Sequence, residues 1–169
     1  MKRWAEILGV ELGVVSWKEK GISALGGWIS ILFLIFFTER CVGLQHSTAL
    51  VASMGASAVL LFAVPHGPLS QPWPVLAGHV FSAAIGVACA KWIPGQLAAA
   101  ACAVGLAIGA MHVFRCIHPP GGATALTAVL GGGAIHDLGF KFVFCPVLVN
   151  GLVMVGVAMA FNAFFKWRR

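Results

Sequence analysis

Charge is scarce in this chain. Five acids and eleven bases in 169 residues leave it 9% charged beside 60% hydrophobic, with a mean hydropathy of +0.94. Soluble domains are about 25% charged and about 45–50% apolar, so a water-exposed globule is excluded and most of the chain is assigned to lipid. Acids are nearly absent from the apolar stretches. After Glu39 only Asp137 remains, in a loop, which disfavours a cation pump or a carboxylate proton relay. Cys41, Cys89, Cys102, Cys116 and Cys145 show no CxxC spacing and read as small hydrophobes rather than disulfides or a zinc cluster. The six histidines (His46, His66, His79, His112, His118, His136) show no HxxxH or HExxH spacing, so no metal and no cofactor is expected. No catalytic set is apparent, and no enzyme activity is expected. The first 20 residues lack the long apolar core and cleavage site of a signal peptide.

The bases that are present gather at the ends. Lys2, Arg3, Lys18 and Lys20 precede the first apolar run, and Lys166, Arg168 and Arg169 follow the last. Such clustering marks cytoplasmic membrane flanks rather than a nucleic-acid patch. Residues 1–20 read as an interfacial helix or a frayed tail, residues 21–165 as a transmembrane domain and residues 166–169 as a basic tail. The expected setting is the inner membrane of a bacterium, with both termini cytoplasmic.

Against the ~20 residues needed to span a bilayer, the runs are Gly21–Thr38, Val42–Val64, Val75–Ala90, Leu97–Phe114, Pro119–Ile135 and Phe140–Phe165. The expected fold is all-α: a bundle of about six membrane segments, the second and fifth short or broken. Sliding the chain by 67 residues sets Gly55-Ala56-Ser57-Ala58 on Gly122-Ala123-Thr124-Ala125. Each quartet belongs to the second of three runs, which predicts two repeat halves, 21–91 and 96–165. If every run crosses, the halves are inverted; if the quartet-bearing runs re-enter, they are parallel. Counting bases does not choose, because both arrangements put eight inside and three outside. Gly105 and Gly109 form a close-packing seam, from which a homodimer is expected.

"HPPGGATAL", His118 to Leu126, breaks the local rules of a membrane helix. His118 precedes a proline, which favours an extended conformation, and a proline suits the first helical turn. Gly121 and Gly122 are expected to leave bare amides at a helix N-terminus, a ready anion site. Gly55, Ala56 and Ser57 are expected to face it from the other half, with Ser57 and Thr124 adding hydroxyls. Arg115, three residues before His118 with no acid nearby in sequence, suits an anionic guest or snorkels to the interface. His79 and Asn150 lie inside apolar runs, each a candidate either for a buried hydrogen bond or for contact with substrate.

The stretches "CIHPPGGATAL" and "GASAVLLFAVPHGPLSQPWPVLAGHVFSAAIGV" closely resemble the HPP family of integral membrane proteins, named for the His-Pro-Pro at 118–120. The resemblance covers roughly residues 20–165, and some members are associated with nitrite transport. Where the family usually has Ser-Pro and then a base, this chain has Gly67-Pro68 and Trp73. The resemblance implies a channel or carrier whose partners are a small inorganic anion, nitrite first, and the lipid bilayer. A non-transporting anchor or sensor, or a membrane redox or metal protein using His79, His112 and His118, remain the alternatives.

Overall fold

The computed structural model describes residues 15–42 and 48–165, and within them every regular element is helical. The expected interfacial helix lies mostly outside the described residues, as do His46 and the basic tail at 166–169. Lipid offers the backbone no partner, so apolar runs must close their hydrogen bonds internally as helices. Proline and glycine then set the ends. Helix α1 spans Trp17–Val42, so Lys18 and Lys20 belong to its first turns. Helix α2, Thr48–Ala63, stops before Pro65. A 3-10 turn at Pro68–Ser70 leads into α3, Pro72–Trp92, whose first residue is a proline. Gly95, at φ +85°, turns the chain into α4, Gln96–Val113. Then come α5, Pro120–Leu130, the short α6, Gly133–Leu138, and α7. The last opens with a wide π-type turn at Val143–Leu148 around Pro146 and continues through Val149–Phe164.

Among the described residues, four helices are long and apolar enough to cross a membrane: those over Trp17–Arg40, Pro72–Trp92, Gln96–Val113 and Val143–Phe164. Leu50–Ala63 and Pro120–Leu130 are shorter. At about 1.5 Å rise per residue, α5 covers only about 16 Å of a hydrocarbon core about 30 Å thick. Turns at 114–115 and 119 and irregular backbone at 116–118 precede it.

Side-chain size decides how closely these helices approach. Gly78, Ser82 and Gly86 repeat every fourth residue on α3 and present one narrow face to α5. A methyl on Gly86 would sit 2.6 Å from the Ala125 carbonyl oxygen and 2.7 Å from Ala128 Cβ. One on Gly78 would meet His118, and one on Gly121 would sit 2.8 Å from both Gly78 O and Ser82 Oγ. Along α3 the neighbours climb from His118 to Ala128, so α5 runs parallel to α3 from its middle onward. Helix α4 runs the opposite way: the Trp73 indole at the start of α3 donates to the Phe114 carbonyl just beyond α4, at 3.1 Å. Helix α2 also opposes α3, since Ser70 donates to the Leu60 carbonyl near the end of α2 at 3.0 Å.

The packing partners interleave. Helix α1 packs on α2 and α7, whereas α3 packs on α4 and α5. Helices α2 and α5 cross between the two groups, and α3 meets α7. Two apolar cores result, one built around Leu34, Met54, Phe62 and Met154 and the other around Ala99, Ala103, Met111 and Val129. The Gly105–Gly109 seam points away from both, with nothing within 4 Å of a methyl placed on either glycine.

Candidate functional site

The two short helices meet at polar side chains. Ser53 and Ser57 lie four residues apart, on one face of α2. Ser57 Oγ stands 2.8 Å from Nε2 of His79 on α3 and 2.8 Å from Nε2 of His118, just ahead of α5. The other His79 nitrogen, Nδ1, is 2.7 Å from Thr124 Oγ1 on α5, and that hydroxyl is 3.1 Å from Ser53 Oγ. The His118 Nδ1–H donates to the Leu69 carbonyl at 2.8 Å. Ser57, His79, His118 and Thr124 are all fully buried. The imidazoles meet edge to face, with centroids 4.9 Å apart. Glu39 and Asp137 are exposed, far along the chain from this cluster.

Local structure explains how an irregular segment reaches this depth. The Cys116 amide donates to the Met111 carbonyl and the His118 amide to Met111 Sδ, tying the segment to the end of α4. His118 then takes over as a cap. Its carbonyl accepts from the Gly121 amide at 2.9 Å, and Pro119's accepts from the Gly122 amide at 3.0 Å. The amides that the sequence leads one to expect bare are therefore engaged in a first tight turn, because Pro119 itself adopts helical angles and supplies a carbonyl.

The remaining candidates lie apart. Gly121 is a contact glycine against α3. Gly122 is partly exposed with open space beside it. Gly55 lines a groove of about 320 Å³ between α1 and α2, beside Gly27 and Trp28, and Ala56 is exposed. Both point away from Ser57. Arg115 is exposed and holds a left-handed backbone at φ +52° where the chain turns from α4 toward His118. Asn150 is fully buried elsewhere, donating to Thr38 Oγ1 at 2.8 Å between α7 and α1. His112 is exposed, and the described residues contain no group of three or more His, Cys, Asp or Glu able to hold a metal ion.

Residues 13–169 match the family described as HPP, transmembrane region. The chain belongs to the HPP family. Similar curated proteins include two transmembrane proteins of Dictyostelium discoideum. One is 38% identical over 156 residues, covering 90% of this chain and 50% of the relative. The other is 37% identical over 155 residues, covering 89% and 54%. This HPP chain thus spans about half the length of the curated relatives it matches. No solved structure matches it. It is an integral membrane protein, and the His-Pro-Pro that gives the family its name supplies one member of the buried cluster and the start of α5.

Two participants, Ser53 and the Leu69 carbonyl, were not singled out from the sequence. Ser53 was findable, because it stands one helical turn before Ser57. The Leu69 carbonyl was not, since a backbone acceptor carries no residue-type signal.

Proposed function

We propose that this protein is a membrane transporter for a small inorganic anion, with nitrite the leading substrate, and that the Ser57–His79–His118–Thr124 cluster lies on its route. Six segments cross the bilayer in this reading, as two inverted halves. The alternating directions of α2, α3, α4 and α5 support it, as does the irregular segment at 116–118 that leads into α5. One observation carries the proposal. Two imidazoles and three hydroxyls from α2, α3 and α5 converge in the buried centre, where broken helices meet in transporters. These neutral groups can turn hydrogen-bond donors toward an anion, and among the described residues no carboxylate is hydrogen-bonded to them. Arg115, exposed beside the lead-in, offers positive charge at the mouth. Helix packing alone explains this less well, because interhelical hydrogen bonds in membranes average only about 0.6 kcal/mol, a small gain for five polar side chains.

The test is nitrite entry into proteoliposomes holding the whole chain. Wild-type protein should carry nitrite, Ser57→Thr should retain most of the rate, and folded Ser57→Ala should lose about tenfold or more. Parental flux through folded Ser57→Ala would place the route elsewhere. No flux through wild type would leave an anchoring or sensing role.

A further inference from the structure

We infer that the cluster is a proton wire of fixed resting direction, with Ser57 as the relay between two imidazoles whose tautomers are set by the Leu69 carbonyl. This rests on the transport reading and adds protons as the co-transported species. The direction follows from one backbone atom. A carbonyl only accepts, so the proton on His118 lies on Nδ1, 2.8 Å from Leu69 O. In a neutral ring, Nε2 is then bare and must accept, so Ser57 donates its hydroxyl proton to it. Ser57 Oγ in turn accepts from His79, which places that ring's proton on Nε2 and leaves Nδ1 bare. Thr124 donates to that Nδ1 at 2.7 Å in preference to the Pro120 carbonyl at 3.5 Å. Its oxygen then accepts from Ser53, whose proton is shared with the Leu50 carbonyl at 2.9 Å. From Thr124 onward every donor points toward Leu69, while Ser53 divides its one proton between Thr124 and the Leu50 carbonyl.

A proton delivered at the Ser53 end passes without net change in the number of protons on any group. Thr124 gives its proton to His79 Nδ1 and takes one from Ser53, which is refilled from the incoming hydronium. His79 passes its Nε2 proton to Ser57, and Ser57 passes its own to His118 Nε2. His118, doubly protonated, releases the Nδ1 proton to water. Ser70, next to Leu69 in the chain, lines a cleft of about 240 Å³ with His66 and Gln71; His118 itself does not line it, so release requires water to enter past Ser70. The spent chain holds the same number of protons with its tautomers reversed. In that state a bare His118 Nδ1 faces the Leu69 oxygen, lone pair against lone pair. This repulsion makes the reversed set of tautomers the less stable one, which is what fixes the resting direction. Among the described residues no charged side chain is hydrogen-bonded to either ring, and the buried Cys116 thiol stands two residues before His118 in the chain.

Two measurements test this on the whole chain in bilayers. Nitrogen-15 spectra of labelled histidines should show one buried ring protonated at Nδ1 (His118) and one at Nε2 (His79), assigned with His79→Gln and His118→Gln. The reverse assignment overturns the wire. Proton movement is then followed with an internal pH dye under an imposed pH gradient, with and without nitrite. Wild type and Ser57→Thr should move protons in at least the nitrite arm, and folded Ser57→Ala should fall about tenfold or more. Ser82→Ala serves as a control, because Ser82 Oγ is buried nearby without a partner and lies outside the chain of donors. Parental proton movement in Ser57→Ala, or none in wild type in either arm, overturns the wire. Nitrite flux without Ser57-dependent proton movement keeps the transport reading and removes the wire. Ser57-dependent proton movement without nitrite flux does the opposite.

Discussion

Ser57 and Thr124, 67 residues apart in the chain, hold opposite nitrogens of the same imidazole, His79, at 2.8 and 2.7 Å. They occupy the same place in the two Gly-Ala-(Ser/Thr)-Ala quartets. In the inverted repeat proposed above, two such hydroxyls would meet where the middle segments of the halves cross. The packing partners agree with such an axis: α1 pairs with α2 as α4 pairs with α5, and α1 meets α7 as α4 meets α3.

Membrane sidedness separates this arrangement from a parallel repeat with re-entrant loops. With six crossings, Arg115 lies on the side of Lys18 and Lys20, and Lys91 lies opposite. With four, the two exchange sides. Single cysteines at 18, 91 and 115, in protein whose native cysteines are replaced, should label with an impermeant maleimide so that 115 follows 18 and 91 does not. Labelling of 91 together with 18 would remove the inverted repeat.

Much of the architecture was legible because lipid enforces it: apolar runs, prolines and terminal bases locate α1, α3, α4 and α7 within a few residues. The candidate site was legible only in part. Ser57, Thr124, His79 and His118 stand out as polar groups in apolar surroundings, and the fold brings all four together. What sequence spacing cannot supply is facing. Gly55 and Ala56 neighbour Ser57 in the chain but point to the opposite side of α2. Arg115 is three residues from His118, yet it sits at the surface because the backbone turns there. The bare amides expected at Gly121 and Gly122 fail for a similar reason, since Pro119 contributes a carbonyl to the first turn.

The same distinction governs the glycines. Gly105-xxx-Gly109 matches the familiar motif, but the close approach is made by Gly78-xxx-Ser82-xxx-Gly86. Gly86→Ala should destabilise the folded protein by about 1–3 kcal/mol, because its methyl meets the α5 backbone and neither helix can withdraw without opening the core. Gly105→Ala should be neutral or stabilising by up to about 1 kcal/mol, as alanine favours a helix. Thermal unfolding in detergent measures both. A homodimer built on the outward seam should dissociate in Gly105→Ile without loss of fold, measured by mass in nanodiscs; monomeric wild type removes that assembly.

Asn150 and Thr38 form an interhelical clasp with one loose end. The amide nitrogen donates to Thr38 Oγ1, while the buried Oδ1 has no partner. Thr38→Val should cost about 0.6–1.7 kcal/mol, the range of such bonds in membranes. Thr38→Val with Asn150→Leu should cost less than the two single changes summed, since the double variant strands no donor. Additive losses in unfolding by detergent titration would show that the pair is not coupled.

Arg115 and Ser57 should separate by salt. An exposed guanidinium acts on a passing anion through its field alone, and that field reaches about 10 Å at 0.1 M ionic strength but only about 3 Å at 1 M. A hydroxyl buried among imidazoles acts by contact and is shielded from added ions. Arg115→Gly keeps the positive φ that the turn requires and removes the charge. Its nitrite uptake should therefore fall about threefold to tenfold at low salt and converge on wild type at high salt, as expected for electrostatic steering. Ser57→Ala should stay low at every salt concentration. A salt-independent loss in Arg115→Gly would instead put the guanidinium in direct contact with the anion, and parental uptake at low salt would remove Arg115 from the entry path.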